Sequence, residues 1–148
     1  MTDEKPKIEI EVKEQKPPKW IWDEVHRGFE IEDELTIYTY GNIIYDPRGT
    51  HKKIANSVIV HEMEHMKQQA STEGGPDRWW NKYLTDPQFR KVQEIQAYQK
   101  QYEHACTIYK DRNERARYLN ILASFASSPM YKINLTHSEA LKLIRNGQ

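Results

Sequence analysis

Two histidines four residues apart, with a glutamate directly after the first, lie in the stretch HEMEH over residues 61–65. Side chains at this spacing point the same way on a helix, so His61 and His65 can share one metal ion. Glu62 lies about 100° round the helix, within reach of a water at that ion. Zinc lowers the pKa of a bound water to about 7, and Glu62 can accept its proton and return it to a leaving amine. The spacing indicates a zinc-dependent hydrolase; the alternative is two histidines packed in a buried helix.

A catalytic zinc takes three protein ligands, so a third must come from elsewhere in the chain. Glu94, in the middle of a long predicted helix, is the best candidate and would complete a His₂Glu set like that of thermolysin-type zinc enzymes. Its rivals Glu103 and His104 do not share its direction on the helix. Glu64 projects roughly 160° away from Glu62, so no catalytic role is assigned to it. We expect no direct metal role for the remaining histidines: His26, His51 and His137.

Aromatic residues lie close to these candidates along the chain. Tyr98 follows Glu94 by one turn and points the same way. Its phenol could donate a hydrogen bond to a developing oxyanion, or it could pack against or orient Glu94, which is the interpretation we favour. For Trp79, Trp80 and Tyr83, packing between two helices is favoured over lining a substrate site.

The pattern of the chain supplies elements that could position these residues. Residues 36–40 and 43–45 favour strands, joined by the hairpin turn Gly41-Asn42. Helical periodicity covers the motif over residues 54–70, and a long helix is predicted from Asp86, as N-cap, to about residue 109. Further helices are predicted over residues 18–27, from an N-cap at Asp77, over 113–128, and from a capping box at Thr136.

Composition limits the classes of function. The chain has 148 residues, which suit one domain, and its 22 basic residues balance 22 acidic ones. Neutral charge gives no argument for a nucleic acid or membrane partner, and no segment has the roughly 20 apolar residues of a membrane span. One cysteine and a charged N-terminus without a signal-type apolar run suggest a soluble intracellular protein.

Residues 1–19 are rich in Lys, Glu and Pro and are interpreted as a charged flexible arm before a domain over residues 20–148. Within the arm, Ile8, Ile10 and Val12 alternate with charged residues, which is strand periodicity. Two alternatives remain for this stretch: a strand that pairs with another sheet, through which a partner protein could bind, or plain disorder.

The stretch HEMEHMKQQ followed by GGPDRWWNKYLTDPQFRKVQEIQAYQKQY resembles small zincin-like metallopeptidases of the gluzincin type, compact forms found in bacteria and their phages. The resemblance covers roughly residues 35–105, including the strand pair before the motif. It implies a minimal α+β fold: a short antiparallel sheet packed on an active-site helix, with further C-terminal helices. It also implies His61, His65 and Glu94 as zinc ligands and Glu62 as the base. Larger gluzincins hold a histidine with an acidic residue shortly after the third ligand, but Ala97 and Tyr98 occupy that place here.

The function expected from these residues is hydrolysis of peptide bonds in extended segments, by an endopeptidase more than an exopeptidase. In such folds an edge strand binds the peptide, and Tyr38, Tyr40 or residues 43–45 could serve. The location expected is the bacterial host cytoplasm or a phage particle. The alternative function is a zinc-binding structural or interaction protein, such as a phage component, that keeps the fold without turnover.

Overall fold

The computed structural model describes residues 10–51 and 53–147 and shows an α+β fold that is mostly helical. The predicted helices are present with small shifts at their ends. Their bounds are α1 Lys19–Gly28, α2 Asn56–Ser71, α3 Gly75–Thr85, α4 Pro87–Ile108, α5 Arg112–Ala126 and α6 His137–Asn146. A short 3₁₀ turn, Pro129–Tyr131, connects α5 to the segment that leads into α6. Among these helices, none is both long and apolar enough to cross a membrane.

Three short strands form one sheet: β1 Glu11–Lys13, β2 Tyr38–Tyr40 and β3 Ile43–Tyr45. The predicted hairpin is confirmed, because β2 and β3 pair antiparallel around Gly41, whose φ of 63° suits a glycine turn. The expectation of a wholly antiparallel sheet is wrong, since β1 pairs parallel with β3. The strand order β1-β3-β2 leaves β3 in the centre.

The parallel pairing of β1 bears on the predicted N-terminal arm. Val12 lies opposite Ile44 in this pairing, so the strand interpretation is confirmed for residues 11–13. Ile8 lies outside the described residues, and for residues 1–9 the arm stays a prediction. Within the described residues the folded part of the chain therefore begins at β1.

Helix caps account for the boundaries of the two helices that follow the motif. Asp86 accepts hydrogen bonds from the amides of Gln88 and Phe89, which confirms it as the N-cap of α4. The predicted cap at Asp77 is wrong: α3 begins earlier, after Gly74 with a φ of 92°, and Asp77 lies in its first turn. There its carboxylate accepts a hydrogen bond from the Tyr40 hydroxyl instead.

Two apolar clusters flank helices α2 and α4, which pack against each other. One joins α4, α5 and α6 through residues such as Ile95, Leu122 and Ile144. The other joins α1, the hairpin and α3 through buried aromatic and aliphatic residues, namely Ile21, Val25, Tyr38, Tyr45, Trp79, Trp80 and Tyr83. The motif histidines lie where the two clusters meet, because Tyr98 of the first packs on His61 and Trp79 of the second packs on His65.

Candidate metal centre

The structure brings His61, His65 and Glu94 together, as the sequence predicts. Nε2 of His61 lies 3.2 Å from Oε1 of Glu94, and Nε2 of His65 lies 3.3 Å from the same oxygen. The three potential ligating atoms are all within 4.8 Å of one another, and all three side chains are buried. Helix α2 supplies both histidines from one face, and α4, packed across it, supplies the carboxylate.

The other nitrogen of each imidazole is held by a glutamine. Nδ1 of His65 lies 2.8 Å from Oε1 of Gln68, and Nδ1 of His61 lies 3.0 Å from Oε1 of Gln101. A carbonyl oxygen can only accept, so each Nδ1 carries the proton and donates it. Nε2 is then the nitrogen of each imidazole that faces Glu94 and would coordinate a metal ion.

These glutamines bond to the histidines in the way that the acidic residue of larger gluzincins does. Ala97 is fully buried and apolar, and Tyr98 does not hold a histidine through a hydrogen bond. Gln68 on α2 and Gln101 on α4 perform that role as neutral acceptors. Sequence alone did not indicate that these two residues hold the histidines.

Glu94 itself is oriented by a tyrosine of α3. The Tyr83 hydroxyl donates a 2.5 Å hydrogen bond to Oε2, which leaves Oε1 to face both imidazoles. Burial, followed by the charge of Glu94, raises the pKa of Tyr83 well above its usual range, so the phenol stays protonated and remains a donor. Tyr83 is buried with Trp79 and Trp80, as packing between helices requires, and all three residues also line the cavity beside the cluster.

The charges of the cluster depend on one another. Burial raises the pKa of Glu94, but the charges of His65 and His61 and their hydrogen bonds outweigh it, so the pKa is strongly lowered. Burial lowers the pKa of His65, but the charge and hydrogen bond of Glu94 and the charge of Glu62 raise it more, to about 9. The carboxylate is therefore ionised, and at neutral pH a cation is needed between it and the imidazoles: either a proton on His65 or a metal ion.

The donor set fits zinc. Zinc bonds to His nitrogen and carboxylate oxygen are about 2.0–2.1 Å long, so the edges of the tetrahedron that they form are about 3.3 Å. The two Nε2–Oε1 separations, 3.2 and 3.3 Å, match such an edge. Two imidazoles and one carboxylate are the protein ligands of catalytic sites that leave a fourth position open. His61, His65 and Glu94 would hold the ion.

Glu62 lies beside this cluster, and a cavity is lined by Glu62 together with the three residues of the cluster. Its Oε2 accepts a 2.6 Å hydrogen bond from the hydroxyl of Thr39 on β2, which connects the sheet to the motif helix. Oε1 has no hydrogen-bond partner among the described residues. Glu64 is absent from the residues that line the cavity. The distinction that helical spacing predicts between the two glutamates is therefore present in the structure.

Tyr98 does not donate a hydrogen bond to Glu94, so the expectation that it orients this carboxylate through its phenol is not met. Its ring packs edge-on against His61 at 4.4 Å between centroids, and its hydroxyl lies 2.7 Å from that of Tyr131. Tyr83, and not Tyr98, donates the hydrogen bond to Glu94. Tyr98 nevertheless lines the cavity beside the cluster, so its phenol faces the region where a substrate would bind.

A cavity of about 720 Å³ opens beside the cluster. Its floor contains His61, His65, Glu62 and Glu94. Its walls are mostly apolar and come from the loop before β2, from the start of α2 and from the end of α5: Phe29, Ile31, Leu35, Ile37, Ile54, Val58, Phe125, Pro129, Met130 and Tyr131. A concave apolar site with a few convergent polar groups is typical of a substrate-binding site.

The other four histidines and Glu103 lie outside the cluster, as predicted. His26 contacts Asp33, His51 contacts Asp46, His104 contacts Ser57, and His137 contacts Asn120. Glu103 is exposed and pairs with Lys100 at 3.8 Å.

The predicted peptide-binding edge needs correction. Residues 43–45 form the central strand, paired on both sides, so they cannot add a further strand. Strand β2 is an edge, but the carbonyl of Thr39 already accepts hydrogen bonds from Nε2 of Gln69 and Nε1 of Trp80. The segment before β2, which includes Ile37, also lines the cavity and is not blocked in this way.

A scan against known protein families, a search of curated proteins and a search of solved structures each find no match for the chain. The resemblance to zincin-like metallopeptidases thus rests on the motif residues alone. A function has to be argued from the side chains of the site, since a fold does not determine its chemistry.

Proposed function

We propose that the protein is a zinc metallopeptidase that cleaves extended peptide segments. The observation that carries this proposal is the placement of a second carboxylate, Glu62, beside the cluster of His61, His65 and Glu94. A site that only bound metal would have no need of this buried acidic group, because it is not among the three potential ligands. The resemblance of the motif region to zincin-like peptidases is in line with this proposal.

Zinc, when bound, lowers the pKa of a coordinated water to about 7 and polarises a carbonyl group. The residues of the chain supply the remaining steps. Thr39 holds Oε2 of Glu62, so Oε1 is the atom left to accept the proton from the attacking water. Glu62 then returns this proton to the amine nitrogen as the peptide bond breaks. Tyr83 keeps Glu94 oriented throughout, through Oε2.

The cavity supports a peptide substrate with bulky apolar side chains. Its apolar walls exclude water around the reacting bond, which strengthens the electrostatic interactions in the site. The segment through Ile37 would bind the peptide as an added strand, in place of the β2 positions that Gln69 and Trp80 occupy. An extended chain that passes along this segment on both sides of the cluster corresponds to an endopeptidase.

The deciding experiment compares wild type with Glu62→Gln in digestion of a peptide library at equal zinc loading. The amide keeps the size of the side chain and can accept the bond from Thr39, but it cannot take up a proton. We expect unchanged zinc content and cleavage lowered by about 10²–10⁴-fold, the usual contribution of a general base. Glu64→Gln, on the flank away from the cavity, is the matched control and should cleave like wild type.

The alternative function is that of a zinc-binding structural protein without turnover. It predicts the opposite result in the same experiment. Wild-type protein with one bound zinc would then cleave no peptide in a broad library, and Glu62→Gln would change nothing measurable. Equal cleavage by wild type and Glu62→Gln would remove Glu62 from the mechanism and contradict the proposal.

A further inference from the structure

The two candidate histidine ligands are held by glutamines whose surroundings differ in one respect. Nε2 of Gln68 donates to the backbone carbonyl of Gln93 at 3.0 Å and to Oε1 of Gln96 at 3.1 Å. A backbone carbonyl can only accept, so the Gln68 amide cannot turn over without losing this bond. The orientation of Gln68, and with it the tautomer of His65, is fixed by the main chain of α4.

On the His61 side the chain of hydrogen bonds ends on a group that can donate or accept. Nε2 of Gln101 donates to the Tyr118 hydroxyl on α5 at 2.8 Å. Burial raises the pKa of Tyr118, and the hydrogen bond with Gln101 only partly offsets this, so the hydroxyl stays protonated and can donate as well as accept. A hydroxyl can reverse its role, so nothing in the main chain fixes Gln101 as it fixes Gln68.

The orientation of Gln101 decides which nitrogen of His61 carries the proton. With Nε2 of Gln101 on Tyr118, its Oε1 accepts from Nδ1 of His61 and the Nε2 lone pair of His61 is free for a metal. If the amide turned over, its NH₂ group would face Nδ1, which would then have to accept. The proton would move to Nε2 of His61 and occupy the ligand position.

We propose that Tyr118 is a positioning residue that holds the Gln101 amide in place against Nδ1 of His61. Among the described residues its hydroxyl forms no hydrogen bond with His61, His65 or Glu94, so its effect passes entirely through the Gln101 amide. This inference rests on the proposed function in so far as it treats His61 as a metal ligand. Helix α5, which supplies none of the three ligands, thereby contributes to the metal affinity of the site.

The test compares Tyr118→Phe with Tyr109→Phe. Phenylalanine keeps the ring of Tyr118 and removes only the hydroxyl that holds Gln101. Tyr109 lies against Tyr118 with ring centroids 5.6 Å apart, so its variant controls for a change of packing at the same place. Two quantities are measured: the imidazole ¹⁵N chemical shifts of both histidines in metal-free protein, and the zinc dissociation constant by competition with a chelator.

We expect the ¹⁵N shifts of His61 to change in Tyr118→Phe and those of His65 to stay at their wild-type values. The zinc dissociation constant should rise about tenfold, within the range found when a group that orients a ligand is removed. Tyr109→Phe should match wild type in both measurements.

Two results would overturn the proposal. One is wild-type shifts for His61 in Tyr118→Phe together with an unchanged zinc dissociation constant. The other is an equal change at His61 and His65, which would indicate general loosening of the site. A wild-type protein that bound no zinc would contradict the proposed function, but the metal-free shifts would still decide the role of Tyr118.

Discussion

Tyr83 on α3 and Glu94 on α4 are joined by a 2.5 Å hydrogen bond, so the two oxygens of the carboxylate have different partners. Oε2 is held by the phenol, and Oε1 faces Nε2 of both His61 and His65. A buried carboxylate without a donor on its second oxygen could rotate and present either atom to the histidines. Helix α3 therefore fixes the geometry of a site whose potential ligands come from α2 and α4.

We expect Tyr83→Phe to weaken zinc binding by about tenfold, since it removes a hydrogen bond that orients a ligand. Phenylalanine keeps the stacking on Trp79, where the ring centroids lie 4.9 Å apart, so the fold should be retained. The measurement is a competition titration with a zinc chelator. Tyr45→Phe is the matched control, because Tyr45 is buried to the same extent in the same aromatic cluster and is expected to leave affinity unchanged. Equal affinities for the two variants would show that Tyr83 only packs.

The choice of Glu94 as third ligand is tested by zinc content. Elemental analysis of wild type should find about one zinc per chain, the expectation for a single site. Glu94→Ala removes the carboxylate that both imidazoles face, so it should lose most of this zinc. Glu103→Ala, on the exposed side of the same helix, should keep it. Full zinc occupancy in Glu94→Ala would refute the assignment.

Thr39 gives a way to disturb the base without touching the ligands. Thr39→Val keeps the β-branched shape that suits strand β2 and removes the hydroxyl that holds Glu62. A hydrogen bond to a charged group contributes about 1.5–3 kcal/mol, so cleavage should fall by about 10–100-fold at unchanged zinc content. Thr85→Val, which removes a hydroxyl that donates to the Asn81 carbonyl on α3 away from the cavity, is the control. If both variants cleaved peptides as wild type does, Thr39 would have no role in positioning the base.

Helical periodicity was enough to predict much of the site. The spacing of His61 and His65 placed both on one face of α2, and the cap at Asp86 fixed the phase of α4 and hence the direction of Glu94. Both rest on contacts within one helix, where side-chain direction follows from residue number alone. The hairpin was predictable for a similar reason, because Gly41 allows the turn between its strands.

Contacts between elements could not be predicted in this way. Whether Tyr83 or Tyr98 reaches Glu94 depends on how far α3 is displaced along α4, and no sequence pattern fixes that displacement. The parallel pairing of β1 depends on a connection of more than twenty residues between it and β3, so local turn signals give no information about it. Gln68 and Gln101 lay on the predicted site faces, but their role follows from the polarity of the groups around them.

The pKa of His65 predicts how stability depends on pH without metal. Burial lowers this pKa, but the charge of Glu94 outweighs it and raises the value from 6.5 to about 9. Since the pKa is higher in the folded state, His65 contributes its full stabilisation below pH 6.5 and loses it as the pH rises through about 9. The pKa of Glu94 is lowered in the folded state, so its contribution is constant above its ordinary value of 4.5 and adds no slope in this interval. The melting temperature of the metal-free protein should therefore fall as the pH rises from 6.5 to about 9.

Bound zinc should counteract this decrease in melting temperature. Only an imidazole with a free Nε2 lone pair can bind zinc, and the competing proton on His65 is lost over the same pH interval. The increase in melting temperature that zinc causes should grow as the pH rises from 6.5 towards 9. The measurement is thermal unfolding by circular dichroism across this interval, with chelator or with excess zinc. His65→Gln removes the titrating group, so its metal-free melting temperature should lose the His65 part of the slope. A wild-type metal-free melting temperature that stays level or rises would show that His65 is already neutral beside Glu94, and that no proton holds the cluster together in the absence of metal.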